Sequence, residues 1–272
     1  MDRLETAGMI FLALNALLSY LAFQKPKWFD IFLLRISDLN NGQYYRLLTA
    51  GFIHVDWSHF FFNMFSLFIF GGAVERDLGI LGFVIVYIGS LVGGNLLSWL
   101  FYRKEPEYRA VGASGAISGI IFAAIIIYPE MELAFIFLPF YFPAWIYGIG
   151  FILYSLYGMG RQHDNIGHEA HLGGAITGLL ICLALDPSLM QESTLTILYI
   201  LVPALVMLFV FFYKPRLIAQ AFGKGDEAMT IDDKYNAEQR ELELELNRIL
   251  EKIKLQGEES LSTSERDFLG RQ

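Results

Sequence analysis

The chain has 272 residues, 55% of them hydrophobic, with a mean hydropathy of +0.45 and a formal net charge of −8 at pH 7. This composition excludes an ordinary soluble domain and indicates a multi-pass membrane protein. The acidic balance gives no reason to expect nucleic acid as a partner, and a single cysteine, Cys182, excludes an internal disulfide.

Seven apolar stretches in the first 213 residues predict membrane spans, each of which needs about 17–25 residues. They are roughly 7–23, 57–74, 80–101, 113–128, 133–157, 168–185 and 195–213. The first is predicted as a retained span, because no small-residue cleavage site follows it. The fifth contains Pro139 and Pro143, which predict a kink or a tilted, mobile helix.

Between the first two spans lies a segment of about 30 residues that is half apolar, which suits a structure at the bilayer interface. Trp28, Phe32, Tyr44 and Tyr45 are among its aromatic residues. The segment is too long for a tight connection and too apolar for a solvated linker. We therefore predict a loop or hairpin partly sunk in the membrane surface.

Residues 214–272 carry ten of the 20 lysines and arginines and 13 of the 28 acidic residues, which predicts a soluble tail. One amphipathic helix or short coiled-coil seam is predicted where apolar residues recur at four-three-four spacing. These residues are Leu242, Leu246, Ile249 and Ile253. Ser262 and Glu265 form a capping-box pattern that predicts a second short helix. The tail is either a solvated, self-packing helical segment or a partner-binding module.

Two short polar motifs inside apolar spans point to chemistry. Ser114 precedes a GxxxG pattern at 115–119, and His171 precedes another at 174–178. This spacing lets two membrane helices touch closely, so that Ser114 and His171 can meet at the helix ends. A hydroxyl beside an imidazole is the minimum apparatus for nucleophilic acyl transfer.

His59 and Asn63 lie four residues apart in the second span and therefore share one helix face. Two hydrogen-bond donors aimed at one point suit an oxyanion hole. Alternatively, the two side chains only bond neighbouring helices. Glu169 points to the opposite side of its helix from His171, so a Ser-His dyad without a carboxylate is the simplest interpretation.

A histidine-based zinc site is the rival chemistry, because all five histidines fall near these segments. They are His54, His59, His163, His168 and His171. The two histidines of the HEAH sequence are three residues apart, which departs from the zincin pattern. No acidic partner shell accompanies them.

At these motifs the sequence resembles the rhomboid family of intramembrane serine proteases, over roughly residues 5–187. The segments that carry the resemblance are 54–63, 71–79, 112–115 and 170–174. The resemblance implies that Ser114 is the nucleophile and His171 its general base. It also implies that His59, Asn63 and the backbone N–H of Ser114 form the oxyanion hole.

Further residues take supporting roles by the same resemblance. Tyr45 and Arg46 look like the aromatic-arginine pair of the family's first loop, a structural element. Glu75 would be a buried hydrogen-bonding anchor, and His54 a structural residue near the cavity mouth. Some members carry an aromatic residue four positions past the nucleophile, which stacks on the base; here that residue is Ser118. The fifth span and the loop after it would form a lateral gate for substrate.

The implied fold is an all-α polytopic membrane protein, a six-helix bundle plus one additional C-terminal transmembrane helix. Its predicted domains are a catalytic core over 1–187, the additional helix over 188–213 and a soluble, mostly helical tail over 214–272. The implied function is a serine endopeptidase, without cofactor or metal, that cleaves single-span transmembrane substrates near the surface of a bacterial inner membrane. The alternatives are a catalytically silent, client-binding member and the metal-binding membrane protein.

Charge and resemblance predict opposite orientations. With seven spans, one side of the membrane carries only Arg3 and Arg76, whereas the other carries the remaining basic residues. The positive-inside rule places the second side in the cytoplasm. The resemblance places the N-terminus there instead, and we adopt that topology for the core, which puts the tail outside the cytoplasm.

Overall fold

Apolar helices dominate the computed structural model, which describes residues 5–134, 140–159, 167–213 and 245–269. One unit holds the apolar helices up to residue 213, and a second contains residues 245–269. The protein is an all-α, multi-pass membrane protein with two short antiparallel ribbons.

In chain order the elements are α1 (Thr6–Gln24), α2 (Pro26–Phe32), β1 (Leu34–Arg35), α3 (Ile36–Asn40), α4 (Arg46–Thr49), a 3-10 turn (Ala50–Phe52), α5 (Trp57–Tyr102), β2 (Arg109–Ala110), α6 (Ser114–Ile127), β3 (Glu132–Ala134), β4 (Tyr141–Pro143), α7 (Ala144–Met159), α8 (His168–Leu185), α9 (Leu189–Glu192), α10 (Thr194–Tyr213), α11 (245–256), a second 3-10 turn (Glu258–Ser260) and α12 (Thr263–Leu269). The first, fourth, sixth and seventh predicted spans agree with α1, α6, α8 and α10 to within one residue at each end. By length and composition α1, α5 and α8 each suffice to cross a membrane, while α6 and α7 are shorter apolar helices.

Glycine divides α5 into the second and third predicted spans. A straight helix of its 46 residues would be about 69 Å long, roughly twice the hydrocarbon core of a bilayer. Gly79 interrupts it with φ +68°, a left-handed conformation that favours glycine. The chain reverses there, giving a first arm (57–78) and a second arm (80–102) that both lie beside α1.

The fifth predicted span, 133–157, is wrong at its start. The helix α7 begins only at Ala144, and the described residues before it include the strands β3 and β4, which pair so that Glu132 lies opposite Pro143. Pro143 therefore ends a strand instead of kinking a helix, because its fixed φ and missing N–H suit a strand end. Pro139 lies outside the described residues.

The segment between α1 and α5 is folded around Arg46, which is buried. Its guanidinium donates to the carbonyl oxygens of Asp30 (2.7 Å) and Leu33 (2.6 Å) and pairs with Asp38 at 3.1 Å. Short helices fill this segment, and its strand β1 pairs with β2 from the loop after α5 instead of forming a local hairpin. The positive charge of Arg46 is therefore paired and hydrogen-bonded within the loop.

The centre of the membrane unit consists of the second arm of α5 with α6 and α8. A Cβ added at Gly174 would overlap the backbone of Gly115, and one added at Gly178 would overlap Gly119. Contacts therefore advance in the same direction along both helices, so α6 and α8 run parallel with touching backbones. This is the approach that small residues at four-residue spacing permit between membrane helices.

Buried Glu75 ties the first arm of α5 to the start of α1. Its two carboxylate oxygens accept the backbone N–H groups of Ala7 (2.7 Å) and Gly8 (2.9 Å). A first helical turn leaves such N–H groups without partners, and its partial positive charge favours an anion. The buried carboxylate and the helix end therefore satisfy each other.

The second unit contains α11 and α12. Glu265 accepts the N–H of Ser262 at 2.7 Å, and the Ser262 hydroxyl accepts the N–H of Glu265 at 3.3 Å, which confirms the predicted capping box. Lys252 and Arg248 of α11 also bind the Glu265 carboxylate. Ile249 is fully buried, whereas Leu242 lies outside the described residues.

We predict that Gly174→Ala destabilises the membrane unit by about 1–3 kcal/mol, because its methyl group must push α6 and α8 apart. Thermal unfolding in detergent measures the effect. Gly150→Ala is the matched control, since an added Cβ there meets no atom within 4 Å. Equal melting temperatures for the two variants would contradict the close contact.

We also predict an acid-sensitive tail. The hydrogen bonds from Lys252 and Ser262 lower the pKa of Glu265 to about 2, well below the usual range of a glutamate carboxyl. Its contribution to stability is therefore full above about pH 4.5 and is lost progressively as the pH falls towards 2. Amide exchange of residues 262–269, corrected for intrinsic rates, should show less protection at pH 3 than at pH 6. Glu265→Gln should remove this difference, and its persistence in that variant would refute the assignment.

Candidate active site

Ser114 is the first residue of α6 and is partly exposed. The residue two before it, Gly112, has φ +120° and donates its N–H to the carbonyl of Ala50 at 2.9 Å. This glycine conformation turns the chain sharply into the helix. Ser114 therefore stands at a helix N-terminus, where backbone N–H groups lack intrahelical partners and favour negative charge.

His171 lies in the first turn of α8, at the same end of the parallel pair as Ser114. The helix beginnings approach each other closely, because a Cβ added at Gly115 would be only 3.2 Å from the carbonyl oxygen of Ala170. Ala170 and Gly115 are the immediate chain neighbours of His171 and Ser114. The glycine contact thus sets the separation of the two residues that the sequence singled out.

The ring beside His171 comes from α7. Phe151 lies with its ring centroid 5.9 Å from that of His171 and an interplanar angle of 32°. His168, on α8 itself, meets His171 edge-on at 6.1 Å. The hydroxyl of Ser118 instead donates to the carbonyl of Ser114 at 2.7 Å, within α6. Sequence reasoning missed Phe151, because nothing distinguishes it from other aromatic residues of that span.

His59 packs directly against the turn before Ser114. A Cβ added at Gly112 would lie 2.6 Å from Cε1 and 2.8 Å from Nε2 of the His59 ring, so only glycine fits there. Asn63 is buried one turn further along, and its amide donates to the carbonyl of His59 at 2.8 Å. The Asn63 amide has a second N–H to offer.

His54 is buried behind His59, with ring centroids 5.0 Å apart and an edge-to-face angle of 76°. Its Nδ1 lies 2.8 Å from the Ser19 hydroxyl, which donates to the carbonyl of Phe52. Burial and, less strongly, the neighbouring His59 lower the pKa of His54 to about 3, so it is neutral at physiological pH. It contacts a candidate oxyanion donor and not Ser114.

Three other residues lie outside this cluster. Arg46 and Glu75 make the loop and helix-start bonds described above. Glu169, although two residues from His171, accepts the Tyr102 hydroxyl at 2.7 Å and is buried against α5. Each of the three therefore makes structural bonds to other parts of the fold.

A groove of about 500 Å³ runs along α7 and reaches the candidate site. Its lining is almost wholly apolar and comprises Phe142, Ile146, Tyr147, Gly150, Phe151, Tyr154 and His171. Such a surface suits an apolar segment of polypeptide more than a polar solute.

The described residues contain no group of three or more His, Cys, Asp or Glu side chains placed to hold a metal ion. His163, and the loop after α7 that was expected to contribute to a gate, lie outside the described residues. The cluster combines the groups that acyl transfer needs. These are a hydroxyl at one helix start, an imidazole at the start of the parallel helix, and two flanking hydrogen-bond donors.

Comparison with known proteins gives two matches to family profiles. The Rhomboid domain matches residues 41–188, which is more than half of the chain. A family of unknown function, DUF6576, matches residues 229–271 of the tail.

Similar curated proteins include one from a plant and two from a bacterium. RHOMBOID-like protein 12, mitochondrial, of Arabidopsis thaliana is 25% identical over 191 residues, which cover 64% of this chain and 56% of the relative. The putative rhomboid protease YdcA of Bacillus subtilis is 39% identical over 124 residues, covering 43% and 60%. Rhomboid protease GluP of the same species is 31% identical over 151 residues, covering 55% and 27%. The aligned part spans at most 60% of any of these three relatives. With more than half of its length matched by the family profile, the chain belongs to the rhomboid family.

Proposed function

We propose that the protein is an intramembrane serine endopeptidase that uses Ser114 as nucleophile and His171 as general base. The observation that carries the proposal is the backbone contact between α6 and α8, which places both residues at the same end of a parallel helix pair. Two bacterial relatives named as rhomboid proteases support the same activity.

Acylation begins when Oγ of Ser114 attacks the carbonyl carbon of the scissile peptide bond while its proton passes to His171. The tetrahedral intermediate carries a negative oxygen. His171 then donates the proton to the leaving nitrogen, the C–N bond breaks, and the acyl group remains on Ser114. Water next attacks this ester, His171 accepts its proton, and the proton returns to Oγ as the ester bond breaks.

The oxyanion would be held by the Ser114 backbone N–H, the His59 ring and the free N–H of the Asn63 amide. Their arrangement supports this assignment, because His59 lies against the turn before Ser114 and Asn63 lies one turn along the same helix. In a site with little water, such donors stabilise developing charge strongly.

Substrates would be single-span transmembrane proteins that enter from the bilayer along the apolar groove and are cleaved near the membrane surface. The bacterial relatives YdcA and GluP support a location in a bacterial cell membrane. The proposed chemistry uses no cofactor.

The role of Ser114 as nucleophile can be tested by substitution. Ser114→Ala should lower cleavage of a transmembrane reporter by at least about 1,000-fold, since no group replaces Oγ. Ser66→Ala, a serine on α5 that bonds only to the Phe62 carbonyl among the described residues, should retain activity. The assay uses purified full-length protein in detergent, with and without a chelator.

Each outcome of this assay identifies one function. Activity lost in Ser114→Ala and unaffected by the chelator supports the protease. Activity abolished by the chelator would favour the metal-binding alternative. If the wild-type protein binds transmembrane segments but cleaves none of them, the client-binding alternative is favoured. Some relatives are named only as rhomboid-like proteins, which is why this alternative is tested.

The role of Asn63 in the oxyanion hole can be tested in the same assay. Asn63→Ala should lower kcat by about 100–1,000-fold, because one donor to the developing charge is removed. Asn15→Ala is the matched control, since the Asn15 amide also donates to the carbonyl four residues earlier, at 2.8 Å, but lies in α1. It should lower the melting temperature without lowering kcat; an equal loss of kcat in both variants would show that Asn63 is only structural.

A further inference from the structure

We propose that Phe151 is a positioning residue for His171, through which the location of α7 controls the orientation of the general base. The inference rests on the proposed function, because it assigns a role relative to the base. It concerns a contact that is made by side chains of two different helices and that neither motif contains.

The first step is that α6 offers no ring to the base. Ser118 stands one turn after Ser114 on the same face of α6, is buried, and turns its hydroxyl to the Ser114 carbonyl at 2.7 Å. The side chain is too small to cover an imidazole and its hydrogen-bonding proton is directed within its own helix. Support for the His171 ring must therefore come from another element.

The second step is that Phe151 has the geometry of that support. A centroid separation of 5.9 Å and an angle of 32° to the His171 ring fall within the range of favourable aromatic contacts. Phe151 is itself held from behind, because Phe122 of α6 meets it edge-on at 5.6 Å. An anchored ring restricts the orientations open to the imidazole beside it.

The third step is that α7 has an open face beside the base, although its other faces pack on neighbouring helices. A Cβ added at Gly150, next to Phe151, would meet no atom within 4 Å, whereas one added at Gly158 would overlap the His168 ring of α8. Phe151 and His171 both line the apolar groove. Any segment that enters the groove and displaces α7 therefore also changes the surroundings of the base.

His168 provides a different link. Its ring contacts His171 edge-on from the same helix, so their backbones keep a fixed separation, and it also packs against α7, where Tyr154 meets it at 5.1 Å. Phe151 is the ring of the two that α7 itself carries to His171. It contacts no reacting atom and acts through His171 alone.

The test compares Phe151→Leu with Phe151→Tyr in full-length protein cleaving a transmembrane reporter. Leucine keeps an apolar side chain in the groove but removes the ring, so kcat should fall by about 3–10-fold while KM stays within about twofold. Tyrosine keeps the ring and should restore kcat. Leu153→Ala, on α7 but outside the groove lining, should leave both constants unchanged.

A second readout is independent of turnover. NOE contacts between the His171 ring protons and backbone protons of α6 and α8, observed by NMR in detergent after assignment with His171→Gln, should change in Phe151→Leu and stay as in the wild type in Phe151→Tyr and Leu153→Ala. Wild-type kcat in Phe151→Leu, or unchanged NOE contacts of His171 in that variant, would overturn the positioning role. So would a loss of kcat that tyrosine does not restore, because simple packing would then explain it.

The two proposals fail differently. If wild-type protein shows no Ser114-dependent cleavage, the proposed function fails. The NMR comparison still decides whether Phe151 orients His171. If cleavage depends on Ser114 but is indifferent to the ring at 151, the proposed function stands and only the inference about Phe151 is wrong.

Discussion

The direct backbone contact between α6 and α8 is the constraint on which the candidate site depends. Gly115 meets Gly174 and Gly119 meets Gly178 because none of these residues has a side chain to keep the helices apart. In a bilayer, lipid is as apolar as leucine, so close packing replaces the hydrophobic effect as the reason for helix association. The same contact fixes the distance between the two helix starts that carry Ser114 and His171.

Two buried charged side chains of this unit, Glu75 and Arg46, each have specific partners. Glu75 accepts two backbone N–H groups at the start of α1, and Arg46 donates to two backbone carbonyls and pairs with the Asp38 carboxylate. Such groups are costly in an apolar setting unless they are paired. The Arg46 contacts also bear on the orientation conflict, because a basic residue held by internal bonds is a poor indicator of which side faces the cytoplasm.

The candidate site combines closely packed helix starts with an open groove along α7. Ser114, His171 and the Gly112 turn under His59 belong to tightly packed backbone, which suits donors and a nucleophile that must be held in place. By contrast, α7 presents an open groove and contributes Phe151 to the surroundings of His171. Substrate access and base orientation thereby meet at one helix.

Sequence alone predicted the membrane class, the boundaries of α1, α6, α8 and α10, and the paired glycine spacings, because these depend on local composition and periodicity. It also predicted the capping box of the tail from residues three apart. It misplaced the start of α7, since a strand before Ala144 depends on pairing with β3, a separate segment of the chain.

The tertiary structure decided the contacts between elements. These include the pairing of β1 with β2, the partners of Arg46, and the α7 ring that lies beside His171. Each contact joins residues that no local spacing relates, and no local pattern distinguishes Phe151 from the other aromatic residues of its span. Ser118 stands where an aromatic residue of α6 could have covered the base, and the packing of α7 on α8 brings Phe151 beside His171 instead.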